Sequence, residues 1–105
     1  LAAEDRRTAL LVVADGSAAR TEKAPASLHP DAAGFDATVA DALRNGDAAG
    51  LAELDRDRAA DVASRGWPAW SAAAAALEGG GYDATLLADE APYGVGYLVA
   101  TWIRR

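Results

Sequence analysis

A long polar loop holds most of the residues in this chain that are capable of chemistry. The loop spans residues 15–30 and follows an apolar run, and it exceeds the usual connection of about 4–6 residues, which is typical of a binding segment or a mobile one. Its reactive side chains are a carboxylate, a hydroxyl, two cations and an imidazole, namely Asp15, Ser17, Arg20, Lys23 and His29. Because α/β proteins place their sites at the carboxyl ends of buried strands, we expect these side chains to line a pocket.

The residue types of this loop raise three kinds of chemistry: nucleophilic catalysis, metal binding and anion binding. Asp15-Gly16-Ser17 suggests a nucleophile, but a hydrolase elbow has glycine on both sides of the serine and takes its base from a histidine late in the chain. His29 is the only histidine, so no metal-ligating set is predicted. Arg20 and Lys23 would suit an anion, although the mixed charges of the loop also fit a plain solvated segment.

A second candidate loop joins two predicted strands near the end of the chain. It offers two carboxylates and a phenol, which are Asp89, Glu90 and Tyr93. Turn formation explains this composition as well as a binding role does.

Composition excludes several function classes. The 105 residues are 51% hydrophobic, which fits one small domain with a single core. No apolar run approaches the roughly 18 residues of a membrane span, so a soluble chain without a membrane partner is predicted. The net charge of −6 would repel phosphate backbones and disfavours nucleic acid as a partner. The absence of cysteine suits a reducing cytoplasm, where we place the protein.

Hydrophobic patterning predicts the elements that must position these residues. The continuous apolar run 9–14 is typical of a strand buried on both faces, and alternation predicts further strands at 82–88 and 95–103. Helices are predicted at 31–45, 47–65 and 68–78, the middle stretch divided into two short helices of which the second begins at Asp57. Asp31 and Asp47 are the predicted caps, and Asn45-Gly46 is the stop of the first helix. Residues 1–7 look like the last turns of a helix that begins upstream, which suggests a fragment.

Several strings in this order resemble the later half of the class III extradiol ring-cleavage dioxygenases of the B-subunit type. The helical strings are GFDATVADAL at 34–43, NGD at 45–47 and LAELD at 51–55, followed by the alanine-rich helix from Trp70 and by YDATLL at 82–87. The loops DGSAARTEKAP at 15–25 and DEAPYGVGY at 89–97 resemble an uncharacterised actinobacterial branch of that family.

The resemblance implies a non-haem Fe(II) enzyme that opens a catechol ring with O2, with two histidines and a carboxylate as ligands. This sequence departs from that pattern: Ala19-Arg20-Thr21 stands where the acid/base histidine is expected, and Gly66 stands where the ligand glutamate is expected. The resemblance therefore implies Fe(II) for a full-length relative and no cofactor in this chain. It leaves open whether the protein is an enzyme.

The fold class that follows is α/β, a buried mixed sheet covered by helices. Residues 1–105 would then form a single domain or a C-terminal half-domain whose N-terminal half is absent. The expected partner is that missing half or a second chain that completes the sheet, so a homo-oligomer is one alternative. A non-catalytic small-molecule or protein-binding module that uses the 15–30 loop is the alternative function.

Overall fold

The computed structural model describes residues 9–105. Four helices precede two strands: α1 (Ala32–Asn45), α2 (Ala48–Ala52), α3 (Arg56–Asp61), α4 (Trp67–Leu77), β1 (Tyr82–Glu90) and β2 (Tyr97–Arg104). The prediction of an α/β chain is confirmed at this level, with helix and strand bounds close to those predicted. The helical turn predicted at residues 1–7 lies outside the described residues.

The helix ends follow the capping rules at all but one predicted position. Gly46 ends α1 in the left-handed conformation, with φ of 63°, and the Asp47 side chain caps α2 by accepting the backbone N–H of Gly50 at 2.9 Å. The predicted cap at Asp31 is wrong, because its helical backbone (φ −89°, ψ −4°) keeps the carboxylate from making a cap bond. The third helix begins earlier than predicted, since Asp55 rather than Asp57 caps it.

The core lies between α1, α2, α4 and one face of the hairpin. Phe35, Val39 and Leu43 recur along one side of α1 and are buried, together with Leu51 of α2 and Trp70 of α4. This recurrence at intervals of four residues is the pattern of an amphipathic helix facing a core.

The hairpin joins the helical layer through a tryptophan. The indole Nε1 of Trp102 in β2 donates a hydrogen bond to the carbonyl oxygen of Leu43 at 2.8 Å, and its ring lies 5.4 Å from that of Tyr82 in β1. The two strands pair antiparallel, with a register irregularity between Leu86 and Ala88. The sheet therefore has one face on the helices and one face open.

The sheet is smaller than predicted. In the part of the chain that the structure describes, only β1 and β2 pair, so the sheet is antiparallel and not mixed. Residues 9–14 form neither helix nor strand, which corrects the prediction of an interior strand. Leu11 and Val13 are 87% and 82% exposed, so the segment is not covered on both faces as an interior strand is. None of the helices in residues 9–105 is long and apolar enough to cross a membrane.

Candidate functional site

Among residues 9–105, the most buried ionisable side chain is a carboxylate on α1. Asp36 is 1% exposed; its Oδ1 accepts the backbone N–H of Ser17 at 2.7 Å, and its Oδ2 accepts Nη1 of Arg20 at 3.0 Å. Because an unpaired buried charge is costly, these two bonds are what allow the carboxylate to remain inside. Asp36 therefore ties the start of the 15–30 loop to α1.

Two glycines make room for this carboxylate. A β-carbon on Gly16 would lie 2.6 Å from Oδ1 of Asp36, and one on Gly96 would overlap Oδ2. Their backbones also join the two candidate loops: the N–H of Gly16 donates to the carbonyl of Gly96, and the N–H of Gly96 donates to the carbonyl of Ser17, both at 2.9 Å. We call Gly16, Ser17, Asp36 and Gly96 the aspartate clamp.

Burial raises the pKa of the Asp36 carboxyl above its ordinary value of 3.8, and the nearby charge of Asp89 acts in the same direction. The Ser17 N–H and the Arg20 guanidinium oppose the rise because both stabilise the ionised form. Desolvation is the largest influence, so the Asp36 carboxyl keeps its proton to a higher pH than an exposed aspartate does.

Ser17 is placed where it cannot act as a nucleophile. Its side chain is fully buried; Oγ donates its proton to the carbonyl of Val62 at 2.6 Å and accepts the N–H of Ala19 at 3.0 Å. A nucleophile needs an exposed oxygen within reach of a base. In this chain the hydroxyl anchors the loop instead.

The other candidate residues are spread over several places. Lys23 and Tyr93 come together in a surface recess of about 560 Å³, which brings one residue from each candidate loop to one spot. The Nδ1 of His29 accepts the N–H of Asp31 at 3.1 Å, so the imidazole is a loop-forming acceptor. Asp89 and Glu90 are exposed at the end of β1.

A larger concavity lies beside the sheet, and we call it the apolar cleft. Its volume is about 980 Å³, at the upper end of the range of about 300–1,000 Å³ for ligand sites. One wall is residues 9–15 and the other is β2, and the floor is formed by helical side chains: Leu43, Leu51, Trp70, Ala73 and Leu77. Asp15 thus lines the apolar cleft, whereas Lys23 lines the smaller surface recess.

The walls of the apolar cleft are backbone edges. Every residue from 9 to 15 lines it, and so does every residue of β2 except Thr101. Successive side chains of an extended segment point to opposite faces, so consecutive lining residues show that the cleft runs along the edge of β2 that β1 does not occupy. Along residues 11–15 exposure alternates, which is the period of an extended chain.

The aspartate clamp closes one end of the apolar cleft. The clamp joins Gly16 to Gly96. Gly16 directly follows the wall formed by residues 9–15, and Gly96 directly precedes the wall formed by β2. Because both walls extend away from this junction, residues 9–15 and β2 run antiparallel on opposite sides of the gap. The backbone hydrogen bonds between Gly16, Ser17 and Gly96 therefore hold the two walls together at that end.

Two features of this site are not among the sequence predictions. Asp36 is absent from the predicted site residues, although its spacing from Val39, Ala40 and Leu43 puts it on the buried side of α1, and an acidic residue at such a position is a signal for a buried polar site. The other feature is the edge of β2 that pairs with no strand among residues 9–105, because strand pairing cannot be read from alternation alone.

The residues of this chain do not fit the iron centre that the resemblance implies. A facial triad has two imidazoles and one carboxylate, whereas the sequence contains one histidine. In residues 9–105 no three His, Cys, Asp or Glu side chains cluster as a metal site would require.

No protein-family model, curated protein or solved structure matches this chain.

Proposed function

We propose that this chain is a binding module on an α/β scaffold of the class III extradiol dioxygenase type, and that it takes an apolar guest in the apolar cleft. The observation that carries the proposal is the cleft itself, with its large volume and a floor of leucine, alanine and tryptophan side chains. A concavity of this size with an apolar floor gains free energy when a guest displaces its water.

The distribution of charged residues around the apolar cleft favours an uncharged guest. The charged residues on the cleft are Asp15 and Arg104, one at each end. The floor between them is uncharged, so burying a charge there would be costly.

The test is a titration with Nile red, a neutral dye that becomes fluorescent in apolar surroundings. Val99 is half-exposed and lines the cleft, so Val99→Arg should weaken dye binding by about tenfold or more, equivalent to about 1.4 kcal/mol. Leu87→Arg is the matched control, since Leu87 is similarly exposed on β1 and does not line the cleft. Equal dye binding by both variants would refute the proposal.

Extradiol ring opening is the second candidate, carried by the aromatic side chains of the cleft. Trp70, Tyr82 and Trp102 all line it and offer ring faces and edges to an aromatic guest. On this proposal the chain contributes the aromatic-binding surface, and the iron ligands come from outside residues 1–105. Displacement of Nile red by catechol would support this candidate, and no displacement by saturating catechol would count against it.

A further inference from the structure

We infer that residues 9–15 are a strap that pairs with β2 as an edge strand and so closes the apolar cleft against its guest. The inference rests on the proposed function and adds its regulation. The structure shows the open arrangement, in which the aspartate clamp joins the two walls at one end. Three observations carry the inference: the bonds at the clamp, the direction of the backbone groups beside it, and the matching faces of the strap and β2.

The aspartate clamp already makes the first contact of this pairing. The N–H of Gly16 donates to the carbonyl of Gly96, and the N–H of Gly96 donates to the carbonyl of Ser17. Two residues of one segment thus oppose one residue of the other, as they do at a β-bulge between antiparallel strands. The two walls therefore start at the spacing of paired strands, and the strap needs no new anchor to continue.

The backbone next to the clamp is turned correctly for the pairing to continue. An added β-carbon on Gly66 would lie 2.9 Å from the nitrogen of Asp15 and would overlap its carbonyl oxygen, and Oγ of Ser64 donates to that oxygen at 3.3 Å. The backbone groups of Asp15 therefore face the connection between α3 and α4, whereas the N–H of Gly16 faces Gly96. Because this direction alternates along an extended chain, the N–H and carbonyl of Ala14 point toward β2.

The faces of the strap and of β2 match in the register that the clamp sets. In that register each step back along the strap goes with one step forward along β2. The pairs on one face are then all partly buried against the core, and the pairs on the other face are all exposed. A shift by one residue would destroy this match at every position. The core-facing pairs are Ala14 with Leu98 and Val12 with Ala100, and the exposed pairs are Val13 with Val99 and Leu11 with Thr101.

Pairing satisfies groups that the open strap leaves to water. Within residues 9–105, no backbone N–H of the strap donates to another backbone group, and the edge of β2 beside it pairs with no strand. An antiparallel ladder satisfies both sets of groups at once. The strap is also tethered at the clamp, so it reaches this edge more readily than a separate chain does.

Closure and guest binding exclude each other because they use the same space. Leu10 and Val12 line the apolar cleft, and Leu10 is 48% exposed in the open strap. In the closed strap Leu10 lies opposite Trp102, on the face that covers the floor. The apolar side chains of the strap then gain the burial that a guest would otherwise gain. A guest must therefore displace the strap before it can bind.

The experiment locks the strap with a disulfide, since the chain has no cysteine of its own. Val13→Cys with Val99→Cys is the test pair, because opposed residues of this kind have Cα atoms about 4.5 Å apart, within disulfide range. Val13→Cys with Ile103→Cys is the control pair. Ile103 is exposed on the same face of β2 but lies about 13 Å further along, beyond the limit of about 7 Å. In a glutathione buffer the test pair should close at least about tenfold more readily than the control pair.

Nile red binding then measures closure in the test variant. The reduced variant should bind the dye, the oxidised variant should bind it at least about tenfold more weakly, and dithiothreitol should restore binding. Saturating dye should also slow disulfide formation in the test pair, because bound dye holds the strap open. In the unsubstituted chain, a nuclear Overhauser contact between the Hα atoms of Val13 and Val99 should be present without dye and lost with it. This contact gives a readout that does not depend on the folding of the variants.

The outcomes separate the strap from the proposed function. Equal disulfide formation by the two pairs, or no Val13 to Val99 contact in the unsubstituted chain, overturns the strap and leaves the binding module standing. Dye binding that survives oxidation of the test pair overturns the exclusion of the guest. An unsubstituted chain that binds no Nile red overturns the proposed function and closure against a guest, even where the test pair closes preferentially.

Discussion

Gly16 leaves the space that the Asp36 carboxylate occupies, since a β-carbon at Gly16 would lie 2.6 Å from Oδ1. Gly16 also donates its N–H to the carbonyl of Gly96. The 15–30 loop can therefore bond to Gly96 because both glycine backbones pass close to the buried Asp36 carboxylate. The wall of the apolar cleft therefore depends on a residue that the cleft does not contain.

Gly16→Ala should lower the free energy of unfolding by about 1–3 kcal/mol, the usual cost of overpacking. Urea denaturation measures it. Gly34→Ala is the control, because Gly34 lies in α1 and a β-carbon there would meet nothing within 4 Å; alanine at that position should add about 0.5–1 kcal/mol by helix propensity. Similar effects of the two substitutions would contradict the close contact at Gly16.

The pH dependence of stability should carry the signature of Asp36. Its pKa is raised in the folded chain, so as pH increases above 3.8 the unfolded chain loses this proton first and stability falls until the folded carboxyl has also ionised. Below 3.8 the carboxyl is protonated in both states and contributes no slope.

Asp36→Asn removes this titration while keeping an acceptor for the Ser17 N–H. The stability of the unsubstituted chain relative to this variant should therefore be greatest near pH 4 and should fall toward pH 7. Urea unfolding of both proteins across this range measures the difference. A difference that grows with pH would mean that Arg20 and Ser17 outweigh desolvation.

The sequence predicted the elements well and their assembly poorly, for a physical reason. The spacing of Phe35, Val39 and Leu43, the stop at Gly46 and the alternation of β1 and β2 are local signals, and the structure follows them. Pairing partners are not local. The apolar run 9–14 is typical of a segment that prefers burial, but nothing in it says which backbone lies beside it.

In the candidate site too, residue types are predicted from the sequence, whereas the contacts between distant residues are not. The sequence predicts Lys23 and Tyr93 as site residues from their types but places them in separate loops, and it does not predict that they line one recess. Ser17 is predicted from its type as well, yet its role is set by the distant carbonyl of Val62. The importance of Asp36 arises from contacts with Ser17 and Arg20, which no spacing reveals.

Two aspartates that look alike in sequence should differ in their contribution to stability. Asp47→Ala removes the cap of α2 and should cost about 1 kcal/mol, whereas Asp31→Ala should change the free energy of unfolding by less than about 0.5 kcal/mol because its side chain makes no cap bond. Thermal or urea unfolding of both variants decides. Because Leu51 of α2 forms part of the cleft floor, Asp47→Ala should also weaken Nile red binding.

Residues 1–105 should bind no catalytic iron by themselves. A facial triad takes three ligands, two of them imidazoles, and His29 is the only histidine in residues 1–105. Replacing the second imidazole with Asp89 or Glu90 would give a mainly oxygen ligand set, which suits Mg²⁺ or Ca²⁺ better than Fe(II).

Anaerobic Fe(II) titration of the chain, beside His29→Ala, should show only weak binding that the substitution does not change. His29→Ala is also a fair probe of folding, since the imidazole accepts just one described hydrogen bond, from the Asp31 N–H, and its loss should leave the far-UV spectrum unchanged. One tightly bound iron that His29→Ala abolishes, together with ring opening of catechol by the unsubstituted chain, would prove that a single imidazole suffices and that this chain is itself an enzyme.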